Sequence, residues 1–70
     1  MDEAYYKRWW PVLYQIARSE FQLTSDEADD IADDVLLSTL LRADKIENTH
    51  AWLTAALRAA CRRHAQPVQG

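Results

Sequence analysis

Thr24-Ser25-Asp26-Glu27-Ala28-Asp29-Asp30-Ile31-Ala32-Asp33-Asp34-Val35-Leu36-Leu37 decides how the rest of this chain is read. Thr24 followed three residues later by Glu27 is a capping box, in which the hydroxyl accepts the Glu27 backbone N–H and the Glu27 carboxylate accepts the Thr24 N–H. Ser25 is the competing cap. Beyond that start signal Ala28, Ile31, Ala32, Val35 and Leu36 recur at helical spacing and form an inward face. The opposite face is a ridge of carboxylates. Acids in the opening turn meet the positive end of the helix dipole, but Asp33 and Asp34 lie past it. The like-charge pairs Asp29 with Asp33 and Asp30 with Asp34 then each cost a few tenths of a kcal/mol. A solvated helix face is the plainest reading of such a ridge. The unfavourable pairs point instead to a cationic partner.

The same helix is expected to run from about Ser25 to Leu41. Leu36 and Leu40 continue the core stripe, whereas Leu37 and Leu41 extend the line through Asp30, Asp33 and Asp34. Apolar surface beside carboxylates suits a protein interface with an apolar centre and a charged rim, and packing under the next loop would bury the same leucines. Both alternatives stay open at this point.

Working outward, a first helix is predicted from about Asp2 to Phe21. Tyr6, Trp9 or Trp10, Leu13, Ile16, Ala17 and Phe21 keep the spacing of one buried stripe. Pro11 interrupts it, so the helix kinks at Trp10 or restarts with Pro11 in its first turn, the axis being roughly maintained. The aromatic group Tyr5, Tyr6, Trp9, Trp10 and Tyr14 reads as core, with base stacking as the competing use. Adjacent tryptophans cannot both point inward, so one is expected at the surface or under a neighbouring element.

Arg42 to Asn48 is a polar connection with Ile46 as its apolar anchor and a short extra turn near 43–47. Asn48 or Thr49 caps a third helix that runs to about Ala65, where Gln66-Pro67 ends it. Leu53, Ala56, Leu57, Ala60 and His64 share a face, with Trp52 and Cys61 at its margins, and His64 is expected to be semi-exposed near the helix C-terminus, where a cation is favoured. The fold expected is therefore all-α, a small three-helix bundle forming one domain over 1–65 with a disordered tail over 66–70.

Composition sets bounds on function. A chain of 70 residues, 49% hydrophobic and 27% charged, is globular but too small for a deep catalytic cavity. One Gly and two Pro fit a helical chain. The single Cys61 excludes an internal disulfide and fits a reducing cytoplasm. His50 and His64 have no ligands at metal spacing, Cys61 with either histidine has no orienting third group or cavity, and no enzyme, metal or cofactor is expected. No apolar run approaches the ~18 residues of a membrane span, and Met1-Asp2-Glu3 does not open a signal peptide. The net charge of −3 hides a separation: residues 19–34 hold seven acids and no base, and residues 51–70 hold Arg58, Arg62 and Arg63 and no acid. A local basic stripe can touch phosphates even in an acidic protein.

Glu27-Ala28-Asp29-Asp30-Ile31-Ala32-Asp33-Asp34-Val35-Leu36 resembles the Asp-Ala-Glu-Asp-Leu-Val-Gln-Glu-Val-Phe run in region 2 of bacterial RNA polymerase sigma factors, especially the small extracytoplasmic-function type. Ala51-Trp52-Leu53, then Arg58 on an alanine-rich helix and Arg62-Arg63, is similar to that family's Ala-Trp-Leu helix and its arginine-rich end. Tyr14-Gln15-Ile16-Ala17-Arg18 fits the first region 2 helix, so the resemblance extends from about Tyr5 to His64. It implies that the second helix docks on the clamp coiled coil of core RNA polymerase through Asp30, Asp33, Asp34, Leu37 and Leu41. It also implies that the third helix holds the non-template strand of the promoter −10 element, with Arg58, Arg62 and Arg63 facing phosphates.

Two departures bear on the second implication. Where the family usually carries an Asn directly after the arginine matched by Arg58, this chain has Ala59, which cannot hydrogen-bond a base. Four residues further on, Arg63 replaces an Asp or Asn. Three arginines neutralise about three phosphates, so unaided DNA binding is weak and salt-sensitive. Taken as a complete protein, the chain would also need a separate region 4 protein to reach a −35 element. Three expectations follow: a transcription-initiation module, a sigma mimic that occupies an anti-sigma factor or polymerase without reading DNA, and a helical adaptor unrelated to transcription.

Overall fold

A computed structural model describes residues 3–65 of the chain. Helix α1 spans Glu3–Glu20, α2 spans Ser25–Leu40, a 3-10 turn occupies Ala43–Lys45, and α3 spans Thr49–Ala65. Among the described residues there is no strand, so the fold is the expected all-α three-helix bundle. The expected tail over 66–70 lies outside those residues, as does Asp2 at the start of the first helix.

Both predicted caps are present. Thr24 sits in extended geometry, its Oγ1 accepts the Glu27 N–H at 3.2 Å, and its own N–H donates to Glu27 Oε1 at 2.9 Å. At the head of α3, Asn48 Oδ1 accepts the Ala51 N–H at 3.0 Å, which makes Asn48 the cap in preference to Thr49. Each side-chain cap satisfies a donor that the helix itself leaves unpaired, worth about 1 kcal/mol.

Pro11 causes neither a restart nor a break in α1, which is one helix from Glu3 to Glu20. Pro11 is exposed. The Lys7 carbonyl that loses its intrahelical donor therefore lies on the solvent side, where water substitutes for the missing bond. The helix ends one residue earlier than its apolar spacing predicts, because Gln22 turns the chain at φ 55°. That left-handed residue lets the Leu23 N–H reach back to the Ala17 carbonyl at 3.3 Å, while Arg18 Nη1 donates to the Leu23 carbonyl at 2.9 Å. The connection is short because its backbone is bonded at both sides of the bend.

Leu13 and Ala17 from α1, Leu23 from the bend, Ala28, Ala32, Val35 and Leu36 from α2, and Leu53, Leu57 and Cys61 from α3 make the core. Three alanines among them let α1 and α2 approach closely. Each buried leucine contributes about 2 kcal/mol by leaving water. Helices of 16 to 18 residues are marginal when isolated, so this shared core is what stabilises them.

The inner face of α3 is rotated from its predicted position. Leu53, Thr54, Leu57 and Cys61 are buried, Ala56 and Ala60 are half-buried, and His64 and Trp52 are exposed. Thr54 enters the core because its hydroxyl bonds back to the His50 carbonyl at 2.9 Å and the Ala51 carbonyl at 3.2 Å, so no donor is left unmet. Cys61 fills the centre of this face, and burial pushes its thiol above the ordinary value. It behaves as a small apolar side chain. On α2, Thr39 is buried where the stripe predicted Leu40, which is only half-buried.

The aromatics of α1 pack at the margin of the core and not inside it. Tyr6, Trp10 and Tyr14 stack as a ladder along one side, with ring centroids 6.2 Å and 4.7 Å apart. Trp9 leaves that ladder and meets the His50 ring at 5.7 Å, with the Arg8 guanidinium 5.2 Å from its centroid. Thus both tryptophans are half-buried, Trp10 in the ladder and Trp9 against the first turn of α3.

Candidate interaction faces of the second and third helices

The outward side of α2 carries the expected ridge. Asp30 and Asp34 are exposed and form no ion pair with any described residue. Leu37 is 48% exposed and Leu41 86% exposed, so the loop that follows α2 does not cover them. Side chains at 30, 34, 37 and 41 recur every three or four residues, which aligns two free carboxylates with two bare leucines along one line. Apolar area at such a site is favourable to bury, and the carboxylates beside it select the sign of the partner.

Asp33 differs from its neighbours. The Tyr6 hydroxyl donates to its Oδ1 at 2.6 Å, a bond between helices that leaves the carboxylate half-buried. That bond, together with burial and the charges of Asp33 and Asp29, pushes the Tyr6 hydroxyl up to about 12. Tyr6 therefore orients one carboxylate of the ridge and shares its charge, whereas Asp30 and Asp34 beside it stay unshared. Sequence reading assigned Tyr6 to the core and missed this role; no local signal links residues 27 positions apart.

The basic side of α3 is less free than its sequence implies. Arg58 is held by Glu20, the last residue of α1, with Nε 3.0 Å from Oε1 and Nη2 2.9 Å from Oε2. The paired Arg58 holds the Glu20 carboxyl below the usual range, and Glu20 raises Arg58 in turn. At the end of α3, His64 Nε2 lies 2.7 Å from Glu27 Oε2, whose other oxygen caps α2. Bonds from His64 and then Thr24 hold the Glu27 carboxyl down at about 2. Arg62 and Arg63, by contrast, are exposed and make no ion pair with any described residue. Ala59 is half-buried.

Two concavities flank these faces. A groove of about 150 Å³ between α2 and α3 is lined by Asp34, Val35, Ser38, Ala56, Ala60 and Arg63. A wider hollow of about 610 Å³ lies where the 3-10 turn meets α3, lined by Ile46, Asn48, Ala51, Trp52 and Ala55 with Lys45 and Glu47. Trp52 is 43% exposed there, presenting part of an aromatic side chain to whatever enters.

Among the described residues no group of three or more His, Cys, Asp or Glu is placed to hold a metal ion, and no helix is long and apolar enough to cross a membrane. Compared with protein families, with curated proteins and with solved structures, the chain matches none of them.

Proposed function

We propose that the chain is a sigma region 2-like module of transcription initiation, which docks on the basic coiled coil of the RNA polymerase clamp through α2. The observation that carries this reading is the line of unpaired Asp30 and Asp34 beside the exposed Leu37 and Leu41. An acidic ridge that keeps its repulsive pairs, with bare leucines in register, is what a basic and apolar helical surface complements. The resemblance of residues 27–36 and 51–53 to sigma region 2 supplies the identity of that surface. On this reading the protein acts in the cytoplasm and is not an enzyme.

The third helix then faces the promoter strand. Arg62 and Arg63 are free to meet phosphates, and Trp52 beside its hollow offers a stacking surface for an unpaired base. The second reading is a sigma mimic that occupies an anti-sigma factor or the polymerase and does not read DNA. Two observations favour it: Ala59 has no base-reading group, and Arg58 is occupied by Glu20.

The deciding experiment is a pull-down with core RNA polymerase and with its isolated clamp coiled coil, comparing the native chain with Asp30→Lys/Asp34→Lys. Binding that is lost on charge reversal, with helicity retained, supports the polymerase role. Failure of the native chain to bind either target removes it. Strand capture by the polymerase complex that survives Arg62→Ala/Arg63→Ala would favour the mimic.

A further inference from the structure

We propose that Glu20 is a built-in stand-in for phosphate, which holds Arg58 off an incoming nucleic acid strand so that Arg62 and Arg63 alone make the initial phosphate contacts. This rests on the strand-facing role of α3 given above. Three features support it.

The first is geometric. Two nearly equal contacts, 3.0 Å and 2.9 Å, join the planar guanidinium fork to the two carboxylate oxygens. A phosphodiester presents a similar pair of oxygens to the same fork, so carboxylate and phosphate compete for one set of donors. The second is the position of Glu20. It ends α1, where the helix dipole is negative and a carboxylate is disfavoured, so helix stability does not account for an acid here. Its partner on α3 does. The third is accessibility: the two side chains are 40% and 45% exposed, so the pair is at the surface and a competing anion can reach it. Arg62 lies one turn along α3 from Arg58 and is itself unpaired. Releasing Arg58 would therefore add a second cation to the same side of the helix.

Counterion release distinguishes an arginine that touches phosphate from one that does not. Each phosphate contact on a single strand adds about 0.7 to the slope of log affinity against log salt. The test titrates the full chain into a fluorescein-labelled single-stranded oligonucleotide and follows anisotropy between about 50 and 200 mM salt. With Arg58 masked, the native slope is about −1.4; Glu20→Gln steepens it by about 0.7 and tightens binding about three- to tenfold at the lowest salt. Glu20→Gln/Arg58→Ala returns the slope to the native value. Glu3→Gln, a charge removal at the other end of α1, leaves the slope unchanged. Circular dichroism of each variant checks that the helices remain.

A Glu20→Gln chain with the native slope, in a series where Arg62→Ala/Arg63→Ala abolishes binding, overturns the masking role and leaves the strand-facing helix in place. Tightening that persists in the double variant means that only net charge was at work, and it overturns the masking role too. No strand binding by the native chain or by Glu20→Gln overturns both the mask and the strand-facing role.

Discussion

The acidic and basic segments of this chain look equivalent in sequence, each a run of one sign, yet they are spent differently in the fold. On α2 the ridge keeps Asp30 and Asp34 unpaired beside exposed leucines. On α3 two of the four basic side chains near the end, Arg58 and His64, are already tied to Glu20 and Glu27. Glu20 ends α1 and Glu27 lies in the first turn of α2, so the acidic segment supplies the counterions of the basic one. A run of charge is thus no measure of charge available to a partner. What remains free is an acidic line with an apolar edge and a pair of arginines, and those two faces carry the proposed contacts.

The largest effect is expected at the free, acidic side. Asp30→Lys/Asp34→Lys should weaken binding to the basic coiled coil by at least about a hundredfold, since like charges set face to face cost several kcal/mol. Unchanged affinity in the pull-down would mean that the ridge is only a solvated face. The shared carboxylate predicts a different outcome. Tyr6→Phe removes the bond to Asp33 and should lower unfolding stability by about 1 kcal/mol, the modest end for a bond to a charged acceptor at a half-exposed site. Chemical denaturation checks it.

The paired side is sharpened by pH. Glu27 has its folded value lowered to about 2 from the ordinary 4.5. The stability it contributes is therefore fully present above about pH 5 and is lost as pH falls from there toward 2, because the unfolded chain takes up the proton first. Urea midpoints measured across that range should fall in the native chain and fall less in Glu27→Gln. Arg58→Ala should likewise lower the urea midpoint, whereas Arg62→Ala, which breaks no pair, should leave it unchanged. The smallest effect has the opposite sign: Asp34→Lys alone turns a repulsive pair with Asp30 into an attractive one and should raise stability by a few tenths of a kcal/mol, while weakening the proposed docking. A stabilised variant that still binds fully would separate the ridge from the contact.

Legibility in the sequence follows distance along the chain. The capping box of Thr24 and Glu27, the Asn48 cap and the helical spacing around Leu36 and Leu57 are all encoded within one or two turns, and the structure has them. The pairs Tyr6 with Asp33, Glu20 with Arg58 and Glu27 with His64 join residues 27 to 38 positions apart. Such pairs depend on how each helix is rotated about its axis, which brings His64 to Glu27 and puts Cys61, expected at the margin of α3, in the core. Local rules also failed where a residue broke its type's habit. Gln22 takes a left-handed turn that usually falls to Gly or Asn, and Thr54 hides its hydroxyl on its own backbone. For the candidate site, Asp30, Asp34, Leu37 and Leu41 were readable as one line because a single helix carries them. The occupation of Arg58 was not, because its partner is on another element.

Glu27 has a consequence for the order of assembly. One carboxylate oxygen closes the first turn of α2 and the other receives α3, so helix initiation and helix docking draw on the same side chain. Forming the first turn is the slow, unfavourable part of making a helix, and an acid already oriented by Thr24 presents a fixed target to a helix arriving from 37 residues away. The arriving histidine in turn holds the acid in its capping rotamer. Initiation and docking therefore reinforce each other, and the chain gains cooperativity at the point where its first two helices have only just been joined.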